Sequence, residues 1–197
     1  MVKIFFTADQ HFNHPLLARL RGFEETPEGV AKMNEKLIRD HNERVREEDT
    51  VFSLGDFLVH GYKPGPGQRK KAAEFLDLLH GNVVLIKGNH DENNGVPAFI
   101  DSAQIFHGGK LINMCHKPED YMQAYPLNLV GHVHSNWKTK HLIDHCTLVN
   151  VGVDVWGFRP ITIQDVNKLL AKERREPIPL KTNTVLIERG EKHGNLA

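Results

Sequence analysis

Val83-Val84-Leu85-Ile86-Lys87-Gly88-Asn89-His90-Asp91 sets four aliphatic residues just ahead of a glycine and a polar trio. A short unbroken apolar run suits a strand buried on both faces, as in a parallel sheet, and the glycine permits a sharp turn once the strand ends. The same arrangement stands twice upstream: Val2 to Ala8 runs into Asp9-Gln10-His11, and Thr50-Val51-Phe52-Ser53-Leu54 runs into Gly55-Asp56. Helical spacing fills the intervals. Val30, Met33, Leu37 and Ile38 recur between Pro27 and Val45 behind Thr26 as N-cap, and Ala72, Phe75, Leu76 and Leu79 recur between Gln68 and Leu79 behind the loop Gly61 to Gly67.

Downstream, a helical stretch is expected near Val96 to Ile100, then strands at Gln104 to Phe106 and Lys110 to Cys115, the latter ending at His116. Leu127 to Val130 delivers Gly131-His132-Val133-His134, and Thr147 to Val151 delivers Gly152-Val153-Asp154. Thr162 with Asp165 caps a helix to about Lys172. Strands alternating with helices predict an α/β fold, a layered β-sandwich flanked by helices with its active site at the C-terminal ends of the strands. Residues 1–175 are expected to form this domain and 176–197, with Pro177 and Pro179, a C-terminal appendage.

Composition excludes several classes. Lys plus Arg equals Asp plus Glu at 25 each, so no overall positive field advertises nucleic-acid or membrane binding. Two cysteines without CxxC spacing, Cys115 and Cys146, argue against a disulfide framework or a thiolate zinc site. The apolar N-terminus is interrupted at Asp9, before a signal segment or membrane span could develop, which makes cytoplasmic localisation the expectation. The unusual number is 13 histidines, and many of them fall in the polar clusters.

Those clusters, in order, are Asp9-x-His11, Gly55-Asp56, Gly88-Asn89-His90-Asp91, His116 and Gly131-His132-x-His134. Carboxylate and imidazole donors without thiolates suit Mn, Fe, Zn, Co or Ni, and there are too many of them for one tetrahedral ion. In an extended segment His132 and His134 would share a face and could serve adjacent ions. Two ions bridged by a carboxylate would clamp a phosphoryl group and supply a bridging hydroxide as nucleophile near neutral pH.

The ordered set DxH, GD, GNH(D/E), H, GHxH resembles the calcineurin-like metallophosphoesterase signature, spanning Asp9 to His134. The resemblance implies that Asp9, His11 and His134 bind one metal, that Asn89, His116 and His132 bind the other, and that Asp56 bridges them. His90 would act on the scissile phosphate, with Asp91 orienting its ring. The expected cofactors are two divalent transition-metal ions, Mn first, with Fe, Zn, Co or Ni as alternatives. Gly55-Asp56-Phe57-Leu58-Val59-His60-Gly61 departs from the GDxVDRG of the Ser/Thr phosphatases, and the chain leaves no room for a cap domain, so it resembles the compact bacterial, archaeal and phage members. Histidines at 11 and 90 are associated in that group with phosphodiesterase competence.

Asn89, His14 and His60 are further candidates for substrate contact, although His14 could equally fix its loop by hydrogen bonding. His60, Lys63, Arg69, Lys70 and Lys71 form either a phosphate-steering patch or a solvated helix start. Trp137 and Trp156 could stack a base, but ordinary packing suits them better. The expected substrate is a phosphodiester, nucleotide or nucleic-acid derived. A phosphomonoesterase is the alternative, and a non-catalytic scaffold of the same fold is a third reading. No membrane partner is expected, and the oligomeric state is open.

Overall fold

In the computed structural model, residues 2–59, 72–143 and 145–173 are described. The first half runs β1 (Ile4–Thr7), α1 (Pro15–Leu20), α2 (Pro27–Asn42), β2 (Thr50–Leu54), α3 (Ala72–Leu76) and β3 (Asn82–Ile86). The second runs β4 (Ser102–His107), β5 (Lys110–Cys115), β6 (Leu127–Val130), β7 (Thr139–His141), β8 (Thr147–Asn150), β9 (Ile161–Thr162) and α4 (Ile163–Glu173).

These strands form two sheets. One has the order β3-β2-β1-β9, with β1, β2 and β3 parallel and β9 antiparallel at the edge. The other has the order β4-β5-β6-β8-β7, with β5, β6 and β8 parallel and both outer strands antiparallel. Strand alternation divides the side chains. Phe6, Leu54 and Ile86 meet Ile112, Met114, Leu129 and Val149 of the second sheet in a fully buried core. Phe5 and Val51 turn the other way onto Val45, while α2 and α3 bring Met33, Leu37 and Phe75 to the same cluster as Val83 and Leu85. The chain is therefore a two-sheet α/β sandwich with flanking helices, as its pattern predicts.

Pairing continues beyond the strands at one edge. Ala8 bridges Gly152 in parallel and so ties the two sheets together. Asp9 N donates to Gly55 O at 3.0 Å, and Gly131 N donates to His116 O at 2.9 Å. All six parallel strands point at this edge, and the polar clusters follow their ends.

Two expectations change. The stretch near Val96 to Ile100 is not helical: a 3-10 turn at Glu92–Asn94 stops at Gly95, whose φ is 66°, Pro97 lacks the N–H a helix needs, and Ile100 bridges Ile86 instead. The pattern also gave no sign of α1, β7 or β9, whose six, three and two residues are too short for a period to register. The capping box of α4 is present, with Thr162 N donating to Asp165 Oδ2 at 2.9 Å and Asp165 N to Thr162 Oγ1 at 3.4 Å. The loop at 61–67, the cluster His60, Lys63, Arg69, Lys70 and Lys71, and segment 176–197 lie outside the described residues. No helix among the described residues is long and apolar enough to cross a membrane.

Candidate metal centre

Six side chains from four strand ends gather into two groups: Asp9, His11 and His134, and Asp56, His116 and His132. Within each group the ligand atoms lie within 4.8 Å of one another. Asp56 Oδ2 lies between the groups, 3.4 Å from His11 Nε2 and 3.3 Å from His116 Nε2. Asn89 Oδ1 is 2.9 Å from His116 Nε2, at the second group.

The backbone is forced into this arrangement. Asp9 (φ 58°), His11 (47°), Asp56 (55°), His132 (71°) and His134 (47°) all occupy the left-handed region, which costs an L-residue about 1–2 kcal/mol. This corrects the simple picture of the His-x-His pair. Residues 132 and 134 are not extended and do not share a face; the left-handed turns part them, so that one ring joins each group. Glycines permit the close approach. Gly55 has φ 88° and a Cβ there would meet His116 Nδ1, while a Cβ on Gly88 would collide with Asp56 N and Oδ1.

The electrostatics suit a bound cation. Burial pushes the Asp9 carboxyl up to about 6 and drives His11 well below the usual imidazole range. Asp56 moves the opposite way: burial would raise it, but the hydrogen bond and charge of His116, with His11 and His90 N, outweigh that and hold it low. His11 is 2% exposed, yet among the described residues neither of its ring nitrogens has a hydrogen-bond partner. A buried imidazole with two orphaned nitrogens is costly unless a cation takes a lone pair. His116 is already oriented for that purpose, because Nδ1 lies 2.8 Å from Leu54 O and Nε2 faces the centre. The donor set is all oxygen and imidazole; Cys115 lies nearby in sequence but burial pushes its thiol up to about 12. The residues fit two divalent transition-metal ions.

Other expected residues distribute as follows. His90 is exposed at the mouth, its ring 5.6 Å from that of His11 and its N–H donating to Asp56 Oδ1 at 2.9 Å. Asp91, expected to orient that ring, is 1% exposed and engaged elsewhere: its carboxylate accepts from Asp56 N, Phe57 N and Gly88 N at 3.0, 2.9 and 2.7 Å. It ties two ligand loops together. His14 is 5.5 Å from His11 and N-caps α1 through Nδ1, which accepts from Leu17 N at 3.4 Å and leaves Nε2 to carry the proton. His60 lies outside the described residues. Trp156 is packed, with Nε1 donating to Asn150 O at 2.8 Å and Lys138 over its ring, and Trp137 is covered by Lys140.

Two residues at the centre had no assigned role in the pattern. Asp154 Oδ2 lies 2.8 Å from His134 Nδ1, and Arg21 Nε lies 2.7 Å from Asp154 Oδ1. Asp154 was visible as a polar residue beyond β8, whereas nothing in the helix-end segment marks Arg21.

Similarity to known proteins fits this geometry. The profile of the calcineurin-like phosphoesterases matches residues 2–190. A Methanocaldococcus jannaschii protein, MJ1445, itself described as uncharacterized, is 32% identical over 181 residues, covering 87% of this chain and 93% of that one. Among solved structures, AQ665 of Aquifex aeolicus, a protein of unknown function, superposes with a TM-score of 0.60 at 22% identity over 86% of this chain and all of that one, a likeness of fold. YfcE, a phosphoesterase from E. coli, gives a TM-score of 0.40 at 18% identity over 76% and 78% of the two chains.

Proposed function

The chain belongs to the calcineurin-like phosphoesterase family, and from that premise we propose that it is a dinuclear phosphodiesterase acting on a nucleotide or nucleic-acid-derived substrate. The observation that carries the reading is the position of Asp56 Oδ2 between two histidines of different ligand groups. Asp9, His11 and His134 would hold one ion, Asn89, His116 and His132 the other, with Asp56 shared and manganese the first candidate. Such ions, when bound, supply a Lewis-acid clamp on phosphoryl oxygens and activate water for attack.

The chain's own groups do the rest. Asp91 keeps the loops bearing Asp56 and Gly88 at a fixed separation through three backbone N–H groups. His90, which is exposed, would donate a proton to the departing ester oxygen. His14 offers a donor at Nε2 to a non-bridging phosphate oxygen, since its Nδ1 is used by the helix cap. Asn89 and His90 are exposed, and a diester, whose phosphorus carries an ester arm on either side, needs such room for its second arm.

Purified chain with Mn²⁺ should hydrolyse a generic aryl phosphodiester faster than the matching monoester, and chelator should abolish turnover. His90→Ala should lower kcat by about 10²–10⁴, and Asp56→Asn should remove activity at any metal concentration. A faster rate on monoesters would move the assignment to the phosphomonoesterases. Absence of turnover on both esters with every divalent metal would leave the scaffold reading.

A further inference from the structure

Arg21 and Asp154 are not ligands, yet every bond of the Arg21 guanidinium at the centre runs to one half of it. Nη1 donates to Gln10 O at 2.8 Å and Nη2 to Asp9 O at 2.7 Å, which are two carbonyls of the segment carrying Asp9 and His11. Nε and Nη2 donate to Asp154 Oδ1 and Oδ2 at 2.7 and 3.1 Å, and Asp154 Oδ2 holds His134 Nδ1 at 2.8 Å. Both side chains are largely buried, at 4% and 12% exposure. We propose that Arg21 and Asp154 are positioning residues that act directly on the Asp9, His11 and His134 half of the metal centre.

The physical reason lies in the backbone. Asp9, His11 and His134 sit in left-handed conformations that local preference opposes, so something must hold them there before an ion arrives. A planar fork that bonds two loop carbonyls and a carboxylate together fixes all three at once. Asp154 also takes the proton-bearing side of the His134 ring, leaving Nε2 to face Asp9 and His11. The other half rests on different supports: Leu54 O orients His116, and Asp91 anchors the backbone of Asp56. The halves also share bonds, from His11 N to Asp56 O and from His132 N to the Asp9 carboxylate, each at 3.0 Å, so loosening the first should reach the second only through these links and weaken it less.

The inference rests on the dinuclear reading, so its test begins with the wild type. Mn²⁺ binding to the metal-stripped full chain, followed by calorimetry and electron paramagnetic resonance, should give two ions with a spin-coupled spectrum. Asp154→Asn should keep one ion near wild-type affinity, bind the other about 10–100-fold more weakly, and show an isolated Mn²⁺ signal at intermediate metal. Arg21→Lys, which retains charge but loses the fork, should weaken the same ion, and carries the test if Asp154→Asn does not fold. At saturating Mn²⁺ either variant should recover most of its kcat. Two ions bound with unchanged affinities in the variants would overturn the assignment, as would equal weakening of both, which a general structural role predicts. A wild type that binds fewer than two ions would instead overturn the dinuclear reading and this inference with it.

Discussion

His90 and Asp91 are neighbours in sequence with opposite circumstances. His90 projects at the exposed mouth, so replacing its ring removes chemistry and little packing. Asp91 is buried and accepts three backbone N–H groups from two loops. Hydrogen bonds to a charged acceptor contribute about 1.5–3 kcal/mol each net of the exchange with water, and a buried donor left unpaired is costly in itself. Asp91→Asn, which keeps the shape but replaces one acceptor oxygen by a donor, should therefore destabilise the metal-free chain by about 2–3 kcal/mol. His90→Ala should stay within about 0.5 kcal/mol of wild type. Urea unfolding of both variants in chelator would separate the two roles; equal destabilisation would contradict them. The motif displayed both residues, but only the fold distinguishes them, because burial depends on Gly55 and Gly88 meeting from strands some thirty residues apart. Arg21 and Asp154 lie 133 positions apart, and no local pattern could pair them.

Elements were legible where burial is two-sided and the run is long enough to show a period. β2 and β5 match the sequence reading residue for residue, because TVFSL and KLINMC are bounded by turns and most of their residues are buried, Ile112 to Cys115 fully so. β7 escaped because Thr139-Lys140-His141 is a polar strand that pairs, among the described residues, with β8 alone. α4 was legible from its cap. Asp165 accepts from Thr162 N and from Thr162 Oγ1, and it pairs with Arg44 at 2.9 Å. Burial alone would raise the Asp165 carboxyl, but the bonds from Thr162 and the charge of Arg44 outweigh it and hold it below the ordinary value. A depressed folded pKa gives stability that is present above the unfolded pKa of about 3.9 and lost as pH falls through the folded value. Asp165→Ala should cost about 1–2 kcal/mol at pH 7. The difference from wild type should shrink below pH 3 in urea titrations, and a gap that stays constant with pH would remove the carboxylate from the account.

At the scale of the whole molecule, one edge collects the ends of six parallel strands from two sheets, and this concentrates cost as well as ligands. Five ligand residues are held left-handed, at about 1–2 kcal/mol each, and His11 is buried with neither nitrogen hydrogen-bonded among the described residues. The two hydrophobic layers must sustain that edge in the metal-free chain. An ion that binds only the folded state adds RT ln(1 + [L]/Kd), about 2.7 kcal/mol at a hundredfold excess over Kd. In a chain of this size each kcal/mol moves the melting temperature by about 2–4 °C, so Mn²⁺ at that excess should raise Tm by roughly 5–10 °C over the same protein in chelator. Asp56→Asn removes the oxygen between the two groups and should lose most of the shift, although its metal-free Tm should change far less than its metal response. A melting curve indifferent to Mn²⁺ and to chelator would mean that the folded chain gains nothing from an ion there, and the orphaned nitrogens of His11 would then need a different partner.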